Sequence, residues 1–358
     1  MMARLGDICT VVSGSTPKSV VPEYWDGDVK WITPAELDDD SYIISDSVRH
    51  ITTLGVTKTG LKPFPAGTVI LSSRAPIGKT AIAGCEMYCN QGFKNLVCSN
   101  NIDSKYLYFF LSSKRDYLNS LGRGATFKEI SKTIVENIEI PLPEMAEQKA
   151  ITTRFENLMK LIQLRKTELE KLDQLVKSRF IELFIGKGYS TKTIDEVSLG
   201  KGEYGAQSAS IEYDPTRPRY VRITDINDDG TLNDDVVASI NPDDDEQYRL
   251  EYGDFLFARM GATVGKTFAF IAGNQIFAGY LIRYKLNQKL INPRYLFWYT
   301  KLDEYWNWVK LNQSGAAQPG INAKKYGSLR IPVPPVAEQE QFAAFVERTD
   351  KSKYYSVA

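Results

Sequence analysis

Two glycine-rich segments have a spacing that could bind phosphate. Residues 200–205 read G-x-G-x-x-G, the pattern that opens a dinucleotide-binding helix. Residues 261–267 resemble a phosphate-binding P-loop that is one residue short, because Met260 stands where the loop glycine is needed. The residues after Gly205 are poor helix formers, and the shortened loop is typical of a turn between strands. We therefore predict glycine turns, with a P-loop-like nucleotide-binding enzyme as one alternative.

Residues suited to metal binding or to general-base catalysis are few. The only histidine is His50, and the four cysteines, Cys9, Cys85, Cys89 and Cys98, all lie in the first third of the chain. A structural zinc site needs four well-spaced Cys or His ligands, and a secreted disulfide framework would rarely leave 260 residues without cysteine. We predict reduced, packed thiols, a cytoplasmic protein, no metal site and no catalytic residue in this chain.

The balance of acidic and basic residues limits how the protein can bind a polyanion. The 358 residues contain 44 Lys+Arg and 44 Asp+Glu, and the balance holds separately within residues 1–143 and 187–335. A net charge of zero gives no global attraction to nucleic acid or to a membrane surface, so any such surface must be local. The sequence has no apolar run of about 18 residues and no signal-peptide core, so we expect no membrane partner.

The chain contains an internal repeat. Residues 130–148 and 321–339 share an I-P-[LV]-P element followed by A-E-Q, at an offset of 191 residues. A G-[TD]-[VF]-[IL]-[LF] segment precedes Arg74 in one copy and Arg259 in the other, and W-I-T pairs with R-I-T. Each copy combines short apolar runs with aromatic-rich helical patterns. We predict strands at 69–71, 81–83 and 255–257, and helices at 106–121 and 295–311.

The segment between the two copies predicts one long helix. Residues 144–184 contain no Pro and no Gly after Pro143, and about 40 helical residues span roughly 60 Å. Alternating steps of four and three residues give the 3.5-residue period of a coiled coil. The predicted seam consists of Ile151, Phe155, Leu158, Ile162, Leu169, Leu172, Val176 and Leu183. A second stripe, predicted to face outward and bind a partner, consists of Leu161, Leu164, Leu175 and Phe180.

The second copy of this helix starts alike but is shorter. It begins near Glu338, and the sequence ends at Ala358, where a full copy would continue to about residue 375 by the repeat offset. Whether the chain is naturally short or truncated stays open. We expect the unpaired part of the long helix to be available for self-association.

These elements predict an α+β architecture with four segments. Residues 1–143 and 187–335 form two similar globular units, residues 144–186 the spacer helix, and residues 336–358 the shortened distal helix. If the two helices pack as an antiparallel coiled coil, an approximate two-fold axis relates the units. Proteins that read two half-sites of one duplex need this arrangement.

The order of these motifs, present twice, resembles the specificity subunit of a type I restriction-modification system. The resemblance covers nearly the whole chain and implies that each unit is a target recognition domain for half of a bipartite site in double-stranded DNA. It implies two methyltransferase subunits that carry S-adenosylmethionine for adenine N6-methylation, and restriction subunits that use ATP. On this resemblance the chain itself binds no cofactor and holds no catalytic residue.

Candidate DNA contacts are polar side chains on the glycine-rich turns and on the loop before the I-P-x-P element. Arginine suits guanine, and asparagine or glutamine suits adenine, while lysine contacts phosphates. The second alternative function for the chain, after the nucleotide-binding enzyme, is a coiled-coil adaptor that does not bind DNA. The predicted contacts are Arg74, Lys79, Arg123 and Lys128 in the first unit, and Arg259, Lys266, Gln318 and Lys324 in the second.

Overall fold

A computed structural model describes residues 1–124, 128–240, 246–315 and 319–355. The chain separates into unit 1, Met1–Gln163, and unit 2, Leu164–Ala358, and each has mixed α and β content. The predicted fold class of two similar α+β units with long helices is confirmed. Within the described ranges, no helix combines the length and the hydropathy needed to cross a bilayer.

The strands are short, as expected for segments punctuated by Gly and Pro. Those of unit 1 are β1 (Met2–Arg4), β2 (Cys9–Val12), β3 (Trp25–Ile32), β4 (Ile43–Ile44), β5 (His50–Ile51), β6 (Val69–Leu71), β7 (Thr80–Ala83), β8 (Tyr88–Cys89), β9 (Asn95–Cys98) and β10 (Glu139–Pro141). Those of unit 2 are β11 (Thr191–Thr193), β12 (Glu203–Tyr204), β13 (Ser210–Glu212), β14 (Arg219–Val221), β15 (Ala238–Ile240), β16 (Asp254–Ala258), β17 (Thr267–Ala269), β18 (Gln275–Phe277), β19 (Leu281–Lys285) and β20 (Arg330–Pro332).

The helices of the described chain range from single turns to forty residues. They are α1 (Leu5–Ile8), α2 (Thr53–Thr59), α3 (Ser104–Ser113), α4 (Arg115–Ser120), α5 (Lys132–Glu136), α6 (Met145–Phe184), α7 (Pro293–Tyr299), α8 (Asp303–Asn312), α9 (Ala323–Gly327) and α10 (Val336–Tyr355).

The sequence repeat is also a structural repeat. Strands β2-β9-β6-β7 lie side by side in unit 1, where β4 extends the sheet, and β12-β19-β16-β17 lie in the same order in unit 2. The pairs β1–β10 and β11–β20 are both antiparallel, so the two I-P elements occupy equivalent strands. The residues of β6 and of β16 are buried throughout, because both strands are central in their sheets. The three predicted strands are therefore confirmed.

The aromatic-rich helices differ from the prediction, because each is interrupted. Lys114 leaves the helical region, with φ −109° and ψ 18°, and separates α3 from α4. In unit 2 the chain leaves the helix after Tyr299 and starts α8 at Asp303, where acidic side chains in the first turn favour a new N-terminus. The Thr300 hydroxyl lies within the break, 2.7 Å from Thr267 Oγ1 on β17, so the interruption ties the helical layer to the sheet.

Two buried glutamines explain the repeated A-E-Q element. Gln148 on α6 accepts a hydrogen bond from the Asp103 backbone N–H at 2.9 Å and donates to the carbonyls of Asn101 and Pro143. Gln339 on α10 makes the same three contacts with Asn292 N–H, at 2.8 Å, and with the carbonyls of Leu290 and Pro334. Each glutamine therefore joins its long helix to the loop that precedes α3 or α7.

We expect Gln339→Ala to destabilise unit 2 by roughly 2 kcal/mol, because it leaves one N–H and two carbonyls unpaired at a buried site. Chemical denaturation of the full chain measures the loss. Glu340→Ala is the matched control, since Glu340 is the next residue on α10 and is exposed. Equal stability of the two variants would contradict the role assigned to the glutamine.

The C-terminal half of α6 packs against α10 within unit 2. Val176, Phe180 and Phe184 are buried in the same core as Phe342 and Val346. The ring of Phe342 lies 5.3 Å from that of Phe180 and 5.6 Å from that of Phe184. The assignment of Phe180 to the outward stripe is therefore wrong: its side chain is fully buried, because residue 180 faces α7 and α10.

The other predicted seam residues of α6 range from partly buried to half exposed in the described chain. Phe155, Leu158 and Ile162 are about half exposed, although Phe155 stacks on Phe109 of α3 with ring centres 4.9 Å apart. Ile151, Leu169, Leu172 and Leu183 are partly buried. Val176, in the core shared with α10, is thus the only buried residue of the predicted seam, and self-association along the exposed part stays a prediction.

Candidate nucleic-acid interface

In each unit, three segments meet where the two inner strands of the core sheet end, beyond β6 and β9 in unit 1 and beyond β16 and β19 in unit 2, and we call this region the hairpin edge. In unit 1, Ser73 N–H donates to the Gly92 carbonyl at 2.8 Å, and Ile130 N–H donates to the Ser73 carbonyl at 2.9 Å. In unit 2, Arg259 N–H donates to the Tyr280 carbonyl at 3.0 Å, and Ile321 N–H donates to the Arg259 carbonyl at 2.9 Å. The hairpin edge comprises residues 72–74, 91–93, 121–124 and 128–130 of unit 1, and residues 258–260, 279–281, 313–315 and 319–321 of unit 2.

Arg74 of unit 1 belongs to an ion-paired cluster. Its Nε lies 2.9 Å from Glu129 Oε2, and the other carboxylate oxygen lies 3.1 Å from Nζ of Lys94. Lys94 is buried and also donates to the Ser73 hydroxyl at 3.4 Å. Partial burial tends to raise the pKa of Glu129, but hydrogen bonds from Lys94 and Arg74 hold it below its ordinary value. Glu129 therefore stays ionised and neutralises much of the positive charge at this position.

Arg123 and Lys128 of unit 1 form no ion pair within the described residues. Both are exposed on the hairpin before I-P-L-P, and backbone hydrogen bonds of 3.0 Å join Arg123 to Glu129 across it. Arg123 also lines a cleft of about 630 Å³ between this hairpin, α4 and α5, together with Tyr117. Contact of these two side chains with DNA stays a prediction.

The predicted equivalence of Arg74 and Arg259 is wrong by one residue. The backbone bonds of Ser73 match those of Arg259, and Met260 pairs with Gly320 as Arg74 pairs with Glu129. Side chains alternate in extended chain, so a one-residue shift directs them to opposite faces. The two arginines therefore lie at the same edge but in different surroundings.

Arg259 of unit 2 lies between two tyrosines. Its guanidinium carbon is 4.9 Å from the ring centre of Tyr204 and 5.8 Å from that of Tyr280, and Nε donates to the Gly279 carbonyl at 3.0 Å. The N-terminus of α9 lies beside this site, because the Ala323 N–H donates to the Tyr204 hydroxyl at 3.2 Å. Lys324, the next residue on α9, is exposed. Gln318, also predicted to contact DNA, lies outside the described residues.

Lys79 and Lys266 point back into the protein. Lys79 Nζ donates to the Leu37 carbonyl, and Lys266 Nζ donates to the Ile226 carbonyl at 3.3 Å. Lys266 Nζ also lies 2.8 Å from Asp228 Oδ1, and its hydrogen bond and positive charge hold the pKa of Asp228 below the ordinary value. The repetition of these lysines has an architectural reason, since each ties the turn of the core hairpin to the segment after W-I-T or R-I-T. Their contact with DNA stays an untested prediction.

Neither glycine-rich segment forms a nucleotide site in the described chain. Residues 261–267 connect β16 to the antiparallel β17, so the helix that a P-loop requires does not follow. Within 200–205, Glu203 and Tyr204 form β12. A Cβ at Gly205 would lie 2.3 Å from the Ala278 carbonyl oxygen, so a close backbone contact explains this glycine.

The cysteines behave as packed thiols. All four are free, and Cys9 and Cys98 lie opposite each other in the pairing of β2 with β9. Burial raises the pKa of Cys89 to about 12, so this thiol stays protonated at neutral pH. Among the described residues, no group of three or more His, Cys, Asp or Glu side chains is placed to hold a metal ion.

Sequence reasoning missed Tyr204, Tyr280, Lys94 and Glu129. Glu129 and Lys94 are far apart in sequence and meet only because the segment before β9 and the hairpin before I-P-L-P come together at the hairpin edge. Tyr204 falls inside the G-x-G-x-x-G segment, and its side chain is exposed. Aromatic residues flanked by Gly, as in G-E-Y-G and A-G-Y, were the available signal.

Comparison with known proteins gives consistent results along the whole chain. The pattern of the type I restriction modification DNA specificity domain matches residues 1–174 and again residues 187–354. The chain is 26% identical to the Type I restriction enzyme MjaIX specificity subunit of Methanocaldococcus jannaschii over 96% of its length and 85% of that protein. It is 24% identical to the Type I restriction enzyme EcoKI specificity subunit of Escherichia coli K12, over 82% of this chain and 69% of that protein.

Two solved structures share the fold. One, from work on complex assembly and conformational transition of the type I R-M system, superposes with a TM-score of 0.58 at 19% identity, covering 99% of this chain and 94% of that one. The other, a type I restriction-modification system S subunit from M. genitalium, gives a TM-score of 0.54 at 16% identity, covering 99% and 90%. The likeness therefore extends through both units.

Proposed function

Because the chain belongs to the type I restriction modification DNA specificity family, we propose that it is the DNA-reading subunit of a type I restriction-modification complex. Each unit reads one half of a bipartite target in double-stranded DNA. The observation that carries the proposal is the repeat itself: one core sheet and one hairpin edge are built twice, with different side chains at the edge. Two similar readers with different contacts suit an asymmetric site.

In this proposal the chain binds and positions, while its partners catalyse. Two methyltransferase subunits bring S-adenosylmethionine, restriction subunits bring ATP, and this chain binds neither cofactor. The outward stripe of α6 supports a docking role, since Leu161, Leu164 and Leu175 are more than half exposed. Large apolar side chains in a row on a surface are typical of a protein contact.

Methylation-sensitive sequencing of host DNA, with the gene for this chain present or deleted and its methyltransferase retained, tests the function. We expect a bipartite motif to be methylated only when the chain is present. Complementation with the intact gene should restore the motif. An identical methylation pattern in the two strains would refute the proposal.

Two lysines of unit 1 should differ in their effect on DNA binding. Lys128→Met should weaken binding to all sequences alike and reduce the salt dependence by about one phosphate contact, since its ammonium is exposed on the hairpin edge. Lys79→Met should leave affinity within about two-fold, because Nζ bonds the Leu37 carbonyl. Gel shifts with the methyltransferase complex at several salt concentrations measure both. A larger effect of Lys79→Met would contradict this assignment.

A further inference from the structure

The Arg259 side chain is held in a defined position on the surface of unit 2. The rings of Tyr204 and Tyr280 lie 4.9 and 5.8 Å from the guanidinium carbon, and both tyrosines are substantially exposed, at 42% and 55%. Tyr204 lies on β12, and its hydroxyl accepts a hydrogen bond from the Ala323 N–H at 3.2 Å, while Tyr280 lies in the turn before β19. Stacking on aromatic rings restricts the guanidinium and lowers the entropy cost of further hydrogen bonds.

The hydrogen bonds of Arg259 leave one end of the guanidinium for a ligand. Nε donates to the Gly279 carbonyl at 3.0 Å. Within the described residues, the two terminal nitrogens have neither a hydrogen-bonded acceptor nor a carboxylate partner. Arg74 differs, because Glu129 pairs with it. The free end of Arg259 therefore presents parallel N–H donors of the kind that bind two neighbouring acceptors.

The fold does not require this arrangement. Ser73 and Gly92 occupy the equivalent backbone positions of unit 1, because their hydrogen bond matches that of Arg259 and Tyr280. Gly14 and Gly205 make equivalent close backbone contacts, so the position before each holds Ser13 in unit 1 and Tyr204 in unit 2. Unit 1 thus builds the same edge without the arginine or either aromatic ring.

We propose that Arg259 reads a guanine in the half-site of unit 2, with Tyr204 and Tyr280 as positioning residues that hold its guanidinium. The inference rests on the proposed function and specifies one of its contacts. Guanine presents O6 and N7 side by side in the major groove, and a two-donor arginine end matches that pair. The absence of the arrangement from unit 1 makes this reading specific to one half of the target.

Selection from a pool of random duplexes by the complex of the full chain with its methyltransferase tests the inference. The wild-type motif should contain an invariant G·C pair in one half-site. Arg259→Ala should reduce the preference for that pair by about ten- to a hundred-fold and leave the other positions unchanged. Arg259→Lys should also lose much of the preference for that base pair, because lysine keeps the positive charge but not the two parallel N–H donors.

Substitution of Tyr280 tests the positioning role of the tyrosines. Tyr280→Ala should weaken the preference at the same base pair, and Tyr280→Phe should retain it, because phenylalanine keeps the ring. Arg330→Ala is the matched control, since Arg330 is an exposed arginine of unit 2 that bonds Thr191. It should leave the motif unchanged. Thermal denaturation checks that each variant folds.

The outcomes separate the inference from the function on which it rests. A motif that Arg259→Ala leaves intact overturns the inference, and so does an equal loss of affinity for all sequences, which would indicate a phosphate contact. Selection of no motif by the wild-type complex overturns the proposed function itself.

Discussion

Phe180→Ala should lower the free energy of unfolding of unit 2 by about 3–5 kcal/mol, one of the two largest effects expected for a single substitution in this chain. Phe180 is fully buried, and its ring packs 5.0 Å from that of Tyr295 and 5.3 Å from that of Phe342. The substitution leaves a cavity where α6, α7 and α10 meet. Because unit 2 has roughly 200 residues, the melting temperature should fall by about 6–20 °C.

Leu175→Ala is the matched control for Phe180→Ala. Leu175 lies on the same helix, five residues earlier, with 52% of its surface exposed. Its truncation should change stability by under about 0.5 kcal/mol. If the outward stripe docks a methyltransferase, the same substitution weakens that association, which a pull-down or calorimetry with the methyltransferase measures.

Amide hydrogen exchange shows which elements Phe180→Ala destabilises. In Phe180→Ala, amides of α7 and α10 should exchange faster, while those of β6 and β7 in unit 1 should be unaffected. Equal stability of the Phe180 and Leu175 variants would show that α6 is not part of the core of unit 2.

Arg283→Leu should destabilise unit 2 by about 3–5 kcal/mol, because it removes one partner of a buried ion pair. Arg283 Nη1 lies 3.4 Å from Asp254 Oδ2, and both side chains are at most 5% exposed. The guanidinium also donates to Glu203 Oε2 at 2.9 Å and to the carbonyls of Arg249 and Gln247. Without it, the buried Asp254 carboxylate keeps the hydrogen bond from the Glu251 N–H but loses its ion-pair partner.

The stability lost in Arg283→Leu should depend on pH in a defined direction. Burial raises the pKa of Asp254 above its ordinary value, although the Glu251 N–H and Arg283 oppose the rise. Loss of Arg283 raises that pKa further. A carboxyl group with a raised pKa in the folded state destabilises the fold once it ionises, so the deficit is largest at high pH and shrinks as pH falls.

Urea denaturation at about pH 7 and about pH 5 measures this change. Addition of Asp254→Asn to Arg283→Leu should recover part of the loss at neutral pH, because it removes the unpaired charge. Arg179→Ala is the control, since its pair with Glu182 is exposed and should be worth less than about 1 kcal/mol. A deficit that grows on acidification would contradict the assignment to Asp254.

Most of the architecture was predictable because it depends on local periodicity. The 40-residue α6 follows from a Pro- and Gly-free stretch, and Gly186, at φ +72°, stands just beyond its end. Buried strands such as β6 and β16 follow from short apolar runs between turns. The interruptions between α3 and α4 and between α7 and α8 were not predictable, because packing against the sheet overrides helical propensity there.

The candidate site was predictable in place but not in detail. Arg74, Arg123, Lys128 and Arg259 do lie at the hairpin edge, because glycine turns and the loop before I-P-x-P converge on it. Sequence could not show that Arg74 is neutralised by Glu129, or that Lys79 points inward to Leu37. Such contacts join residues far apart in the chain, and one sequence carries no record of them.

By itself, the sequence determined the duplication, the long helix and the family resemblance, because each is written in the order and period of residues along the chain. Only the tertiary structure decided which side of that helix is buried and which cations remain free. Phe180 differs from Leu175, and Arg259 from Arg74, through what packs beside them: Tyr295 and Phe342 bury the first, and no carboxylate in the described chain neutralises Arg259. Surroundings, unlike periodicity, depend on residues that only folding brings together.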